Sequence, residues 1–110
     1  MHIPVERVAV TFDLSSYRWK NRVLVVETPS ETDDAFAEQL TRFEATAADL
    51  SERDLVVKTQ TGAENFQVSL YGKDGGRKWR QSEPLDMDTL FALIDSMPMR
   101  QAEMRQQADR

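Results

Sequence analysis

The chain has 110 residues, of which 40% are hydrophobic and 30% charged, and its formal net charge is −5 with a pI near 4.8. This length suits one domain with one hydrophobic core, and the composition is that of a folded chain. The acidic balance disfavours binding to nucleic acid or anionic membranes, and the absence of cysteine excludes disulfides, thiolate catalysis and thiolate-bound metals.

We interpret the chain as a single domain, 1–110, whose residues 1–16 form an N-terminal arm. Its start has no signal-peptide pattern, which as written favours a cytoplasmic location, and it holds no run of about 18 apolar residues that could span a membrane. Residues 8–12 alternate weakly and predict a short edge strand, and a turn or short helix follows. We interpret His2, the sole histidine, as a terminal residue and not as a base or ligand.

The next segments predict a β-α-β unit. Residues 22–28 (RVLVVET) are a nearly continuous apolar run, typical of a strand buried on both faces, and Pro29 ends it. Residues 32–48 predict a helix, 49–54 a connection and 55–60 a second strand. The apolar stripe of the helix comprises Phe36, Leu40, Phe43, Ala47 and Leu50.

A hairpin is predicted next. Residues 66–72 alternate strictly between apolar and polar side chains. Asp74, Gly75 and Gly76 predict a tight turn, because Asp-Gly and Gly-Gly adopt positive φ values readily. Residues 77–82 return as a polar edge strand, in which strict alternation places Arg77, Trp79 and Gln81 on one face and Lys78 and Arg80 on the other.

The chain ends in two predicted helical segments. Asp86 is predicted to cap a long helix, and Pro98 interrupts it. Residues 98–110 then predict a polar C-terminal helical tail. The apolar stripe of the long helix comprises Leu90, Phe91, Ile94 and Met97.

The order of these segments predicts an α/β fold: a minimal thioredoxin-like βαβ-ββα unit with a four-stranded mixed sheet, lacking the helix that usually precedes the hairpin. In that fold the third strand lies antiparallel to the first, on the side away from the second. Five loop residues reach about 17 Å, enough to cross two strand spacings of about 4.8 Å. The alternative pairs 55–60 directly with 66–72 as a hairpin.

Four blocks resemble a known family: YRWKNRVLVV, LSERDLVV, LYGKDGGRKWR and PLDMDTLFALIDSMPMRQAEMR. They are similar to the peroxiredoxin-like P-DUDES domain, a domain-of-unknown-function family also found in extracellular-matrix proteins of the sushi-repeat type. The resemblance covers roughly 17–26 and 50–105. It implies a thioredoxin-like fold and a secreted or periplasmic setting, and it implies no established reaction.

The chain departs from the redox members of that fold. A redox relative would carry its cysteine near Ser30 to Thr32, where this chain has none. It would also place a proline just before the third strand, where Glu64 and Asn65 stand. The resemblance therefore implies a member without redox chemistry.

The strand-to-helix junction, 29–34, is the first candidate site. Ser30 with Asp33 resembles a capping box, Thr32 is an alternative cap, and the acids favour the positive end of the helix dipole. The functional alternative is a hard-cation site, or a carboxylate-using enzyme, formed by Glu31, Asp33 and Asp34.

A second candidate surface is aromatic and basic. RWK (18–20) and KWR (78–80) each place a tryptophan between cations, and Trp and Arg are favoured at protein interfaces. Met97, Met99 and Met104, which stand among polar residues near the C-terminus, suggest an adaptable segment that holds a partner or a second copy of the chain. The alternatives are that Trp19 and Trp79 pack in the core or at its rim, and that the C-terminal segment is a docked or fraying tail. The candidate partner-binding residues are Trp19, Arg77, Trp79, Arg80, Met99 and Met104.

The sequence thus favours a non-redox binding or structural module that acts on an unknown protein partner or by self-association. The final strand could also accept a partner strand. No catalytic set, phosphate-binding loop or dinucleotide motif assembles, and no cofactor is predicted.

Overall fold

The computed structural model describes residues 14–108. The predicted strand 8–12, His2 and most of the N-terminal arm lie outside the described residues. A short 3-10 helix, Ser15–Tyr17, precedes the sheet, as the sequence predicts. The strands are β1 (Arg22–Thr28), β2 (Leu55–Thr61), β3 (Gln67–Tyr71) and β4 (Arg77–Gln81), and the helices are α1 (Asp34–Ala45), α2 (Ala47–Glu52), α3 (Met87–Asp95) and α4 (Pro98–Ala108).

The four strands form one mixed sheet in the order β2-β1-β3-β4. β1 is parallel to β2 and antiparallel to β3, with Leu24 opposite Val57 on one side and Leu70 on the other. The predicted strand order is confirmed, and the alternative direct hairpin between β2 and β3 is wrong. The connection crosses the end of β1, where the Ala63 amide donates to the Thr28 carbonyl at 3.2 Å.

α1, α2 and α3 cover one face of this sheet. Leu24 and Val26 of β1 belong to a single buried cluster with side chains from all three helices. Val23 and Val25 point to the opposite face and are also buried, so β1 is covered on both faces, as its apolar run predicts. The helical members of the cluster are Phe36, Phe43, Leu50, Met87, Leu90, Phe91 and Ile94.

The predicted helix over 32–48 is wrong in its bounds, because two helices occupy this region. Thr46 separates them with φ −120° and ψ 27°, and its hydroxyl donates to the Arg42 carbonyl at 2.9 Å. Such side-chain bonding competes with regular helix geometry. α2 then continues to Glu52, so the predicted connection 49–54 shrinks to its last two residues. Leu50 remains buried, which keeps the predicted apolar stripe continuous.

The strict alternation predicted for β4 is also wrong at its start. Trp79 lies opposite Leu70, but Arg77 lies opposite Tyr71, so the register shifts between these pairs. A β-bulge of this kind inserts one extra residue, here Lys78, and moves the preceding side chain to the other face. Arg77 and Arg80 therefore share the face opposite to Trp79.

The predicted start of α3 and the predicted interruption after it are confirmed. The Asp86 carboxylate accepts the Thr89 amide at 3.0 Å, and Pro98 is the first residue of α4. The loop before α3 is held from α1 by the fully buried Gln39, whose Oε1 accepts the Leu85 amide at 2.6 Å.

Candidate functional site

The β3–β4 turn has the tight geometry that its sequence predicts. Gly75 has φ +86°, the left-handed region that glycine adopts without steric cost. Asp74 fixes the turn from inside, because its carboxylate accepts the Gly76 amide at 2.9 Å and the Lys78 ammonium at 2.8 Å. The hydrogen bond from Lys78 lowers the pKa of Asp74, and the Gly76 amide adds to this effect. These contacts together define the conformation of the turn beside β4.

Trp19 lies against this turn. Its amide donates to the Lys73 carbonyl at 2.6 Å, and Arg18 stacks over its ring at 5.4 Å from the centroid. The side chain is 60% exposed, and its φ of 67° is unusual for a bulky residue. The backbone thus holds a large aromatic ring in solvent at the side of the hairpin.

Trp79 projects from β4 toward α3 and remains 44% exposed. Its indole Nε1 donates to Gln81 Oε1 at 2.8 Å, and the Gln81 amide donates to the Glu83 carbonyl at 2.9 Å. This chain of hydrogen bonds fixes the orientation of the ring. Beside the ring lies a small, mainly apolar cavity of about 120 Å³, whose other lining residues are Leu85, Thr89, Leu90 and Leu93.

A larger cleft of about 570 Å³ adjoins that cavity, and Leu93 lines both. One wall is the hairpin turn, including Lys73 and Lys78, and the other is the corner between α3 and α4. Met99, at the start of α4, is 40% exposed on the second wall. We call the set Lys78, Trp79, Leu93, Met97 and Met99 the Trp79–Met99 surface.

Ion pairs at the edge of the cleft hold α4 in place. Glu103 of α4 accepts two hydrogen bonds from Arg22, at 3.3 and 3.1 Å, and one from Lys73 at 2.8 Å. Lys73 also donates to Asp54 at 2.9 Å. Arg22 is only 1% exposed, so its charge depends on these partners.

A second group of ion pairs joins α2, α3 and α4. Arg53 forms a two-pronged pair with Asp95, at 3.0 and 2.9 Å, and Arg100 donates to the same carboxylate at 3.0 Å. Arg100 is 2% exposed and also reaches Glu52 at 3.3 Å. α4 has a polar sequence, so these pairs stabilise its position where an apolar stripe normally would.

The two acids at the centre of these groups are held ionised. The hydrogen bond from Arg53 lowers the pKa of Asp95, and the bond from Arg100 adds to it against the opposing effect of burial. Burial acts to raise the pKa of Glu103, but the hydrogen bonds and charges of Arg22 and Lys73 together outweigh it and lower that pKa. Both carboxylates therefore carry charge, Glu103 where α4 meets the sheet and Asp95 where α4 meets the other helices.

At the strand-to-helix junction, the cap of α1 is Asp33. Its carboxylate accepts the Phe36 amide at 3.3 Å, so Ser30 and Thr32 are not the cap and that prediction is wrong. Their hydroxyls lie 3.0 Å apart in the preceding turn. Across residues 14–108, no group of three or more acidic or histidine side chains is arranged to hold a metal ion, and this includes Glu31, Asp33 and Asp34.

The structure brings together part of the predicted partner-binding set. Trp79 and Met99 line adjoining cavities, and Trp19 flanks the same hairpin turn. Arg77 and Arg80 lie on the opposite sheet face, and the half-buried Met104 lines neither cavity. Leu93 was not predicted, because it lies off the predicted apolar stripe of the helix. Met97 was predicted both on that stripe and in the methionine-bearing segment, but not among the partner-binding residues.

A family comparison matches this chain over residues 13–63 and 58–103 to a family described as "Domain of unknown function (DUF4174)". The chain belongs to the DUF4174 family. The matched ranges include all four strands and every residue of the Trp79–Met99 surface. The family description assigns no activity to the DUF4174 domain.

Among curated proteins, the DUF4174 domain is 26% identical to "Coiled-coil domain-containing protein 80" of Danio rerio. The match covers 83% of this chain and 15% of that protein. The chain therefore corresponds to only a small part, 15%, of the length of this relative.

Among solved structures, the DUF4174 domain is similar to two peroxiredoxins. The reduced 2-Cys peroxiredoxin of Plasmodium vivax gives a TM-score of 0.63 at 9% identity, covering 76% of this chain and 80% of that one. The mitochondrial 2-Cys peroxiredoxin of Plasmodium falciparum gives 0.61 at 10% identity, covering 79% and 81%. The domain therefore has a thioredoxin-like, peroxiredoxin-like fold, and this chain contains no cysteine. Within residues 14–108, no helix is long and apolar enough to cross a membrane.

Proposed function

We propose that this DUF4174 domain is a non-redox protein-binding module and that its partner docks on the Trp79–Met99 surface. The observation that carries the proposal is the placement of two exposed hydrophobic side chains, Trp79 and Met99, on adjoining cavities that share Leu93. Exposed Trp beside apolar pockets is the side-chain pattern of interface hot spots. The hydrogen bond from Trp79 to Gln81 supports this role, since a ring already held in place loses little entropy on binding.

A cation-dependent or carboxylate-using enzyme is the alternative hypothesis, and it has less support than the protein-binding module. A catalytic role at 29–34 would require Asp33 to leave its cap or to act while accepting the Phe36 amide. A resident ion would stabilise the native state by mass action. Titration with millimolar calcium or magnesium in a thermal unfolding assay tests this alternative, and an unchanged midpoint argues against it.

We also propose that the domain is of the P-DUDES kind found in sushi-repeat extracellular-matrix proteins. The resemblance of four sequence blocks supports this proposal. The peroxiredoxin-like fold is consistent with it.

The test is a pull-down from the native source with four baits: the intact chain, Trp79→Ala, Met99→Asp, and the control Glu44→Lys. Glu44 is exposed on α1, away from the proposed surface. A protein retained by the intact chain and the control, and lost with both surface variants, supports the proposal. Equal retention by all four baits, or no specific protein with any of them, overturns it. Circular dichroism of each bait confirms that loss of binding is not loss of folding.

A further inference from the structure

We infer that the partner element is an extended, acidic segment that adds to the outer edge of β4 and inserts an apolar side chain beside Trp79. This inference rests on the proposed function and specifies the chemistry of its ligand. β4 is the last strand of the sheet, and within residues 14–108 no strand pairs with its outer edge. An unpaired edge offers backbone donors and acceptors to an incoming strand.

The charges on β4 select against another basic strand and favour an acidic one. Arg77 is exposed and makes no side-chain hydrogen bond or ion pair among the described residues. Arg80 uses its Nε to bond Ser69 Oγ at 3.0 Å, which leaves the other guanidinium donors available. Lys78 is occupied by Asp74 at 2.8 Å. Two arginines on one face of an edge strand therefore have donors available for the carboxylates of a ligand.

The bulge in β4 determines which positions of the added strand should be acidic and which should be apolar. Because the register shifts after Leu70, Arg77 and Arg80 project on one face of the sheet while Trp79 projects on the other. Side chains of an added strand alternate in the same way. A segment with acids at alternate positions places them beside the arginines, and the apolar residues between them face Trp79 and the cavity formed with Leu90 and Leu93.

The same charges argue against a second copy of this chain as the occupant. Pairing of β4 with β4 of another molecule would set Arg77, Lys78 and Arg80 against the same three cations. Like charges directly across a strand pair are destabilising. The segment that pairs with β4 is therefore an acidic segment of a different protein.

Three labelled peptides test the inference by fluorescence anisotropy with the full chain: Ac-GELELELG, Ac-GKLKLKLG and Ac-GESESESG. We expect the first to bind and the lysine and serine peptides to bind at least about tenfold more weakly, since one loses the charge pairing and the other the apolar insertion. A copy of the first peptide that is N-methylated at alternate residues, made in both registers, tests strand addition. We expect N-methylation in one register to abolish binding, because it removes the backbone N–H groups that would donate to β4.

Two variants locate the contact. Arg77→Ala/Arg80→Ala should weaken the binding of the acidic peptide and make that binding less dependent on salt concentration. Trp79→Ala should weaken the binding of the same peptide at every salt concentration. Glu44→Lys is the control. Equal binding of the acidic and lysine peptides, or binding unaffected by N-methylation in either register, overturns the inference. A native partner that depends on Trp79 but is not displaced by the acidic peptide would leave the proposed function standing and refute strand addition, so the two failures are distinguishable.

Discussion

Arg22 and Glu103 form a two-pronged ion pair between residues that are 81 positions apart in the chain, at 3.3 and 3.1 Å. Arg22 opens the central strand, and Glu103 lies in α4. Lys73, at the end of the hairpin wall, reaches the same carboxylate at 2.8 Å. One acid therefore ties α4 to both the sheet and the turn, and so sets the width of the cleft between them.

Glu103→Gln should lower the free energy of unfolding by about 2–4 kcal/mol, because it leaves the buried Arg22 and Lys73 charges without their shared carboxylate. Urea denaturation followed by circular dichroism measures this change. Glu44→Gln is the control, and its exposed position on α1 predicts a change below about 0.5 kcal/mol. Similar small effects for both variants would show that α4 is held by other contacts.

Stability should fall in acid as these carboxylates take up protons. Asp95 and Glu103 have pKa values lowered in the folded chain, so each adds stability that is present above its unfolded pKa, about 4. That stability is lost as the pH falls through the folded pKa, so the decline runs from about pH 5 downward. Urea unfolding at a series of pH values measures the slope.

The double variant Asp95→Asn/Glu103→Gln isolates the contribution of these two groups. It should be less stable at neutral pH and should lose less further stability on acidification than the intact chain does. Asp74 and Asp86 also have lowered pKa values and leave a residual slope. A slope identical to that of the intact chain would assign the acid sensitivity to other carboxylates.

Gln39→Leu should destabilise the chain by about 1–3 kcal/mol, although it adds an apolar side chain to the core. The buried Leu85 amide would lose its acceptor at 2.6 Å and remain unpaired. Gln106→Leu, on the exposed part of α4, is the matched control and should be nearly neutral. Thermal and urea unfolding measure both variants. A neutral Gln39→Leu would mean that the loop before α3 finds another acceptor.

Local patterns predicted most of the fold. The valine run of β1 indicated a strand covered on both faces, and the Asp74–Gly76 turn indicated the hairpin. Asp86 marked the start of α3 through its side-chain chemistry. These signals lie within a few residues of the feature they specify, so the sequence alone displays them.

Most of the missed features depend on residues distant in sequence, and the break at Thr46 is the local exception. The break at Thr46 arises from a hydroxyl bonding to the preceding turn, within an apolar stripe that continues across it. The bulge at Lys78 follows from a register that only pairing with β3 defines. The ion pairs of Arg22 and Arg100 carry no periodic pattern at all, because a charged residue does not specify its partner. Part of the candidate site was accordingly foreseen through its tryptophans, whereas its walls were not.

Trp19→Asn should stabilise the chain by about 0.5–1 kcal/mol and weaken partner retention. Trp19 has φ 67°, a left-handed conformation that strains a bulky side chain and that Asn tolerates better. Its side chain is 60% exposed, so little packing is lost on replacement. Urea unfolding and the pull-down together measure the two effects.

Trp19→Ala separates strain from aromatic contact. Alanine retains the Cβ that causes the strain, so this variant should gain no stability while it loses the ring that flanks the hairpin. If both variants weaken partner retention and only Trp19→Asn is stabilised, the strained tryptophan is kept for binding at the expense of stability. If neither changes retention, the partner surface does not extend past the hairpin turn to Trp19, and the Trp79–Met99 surface acts without it.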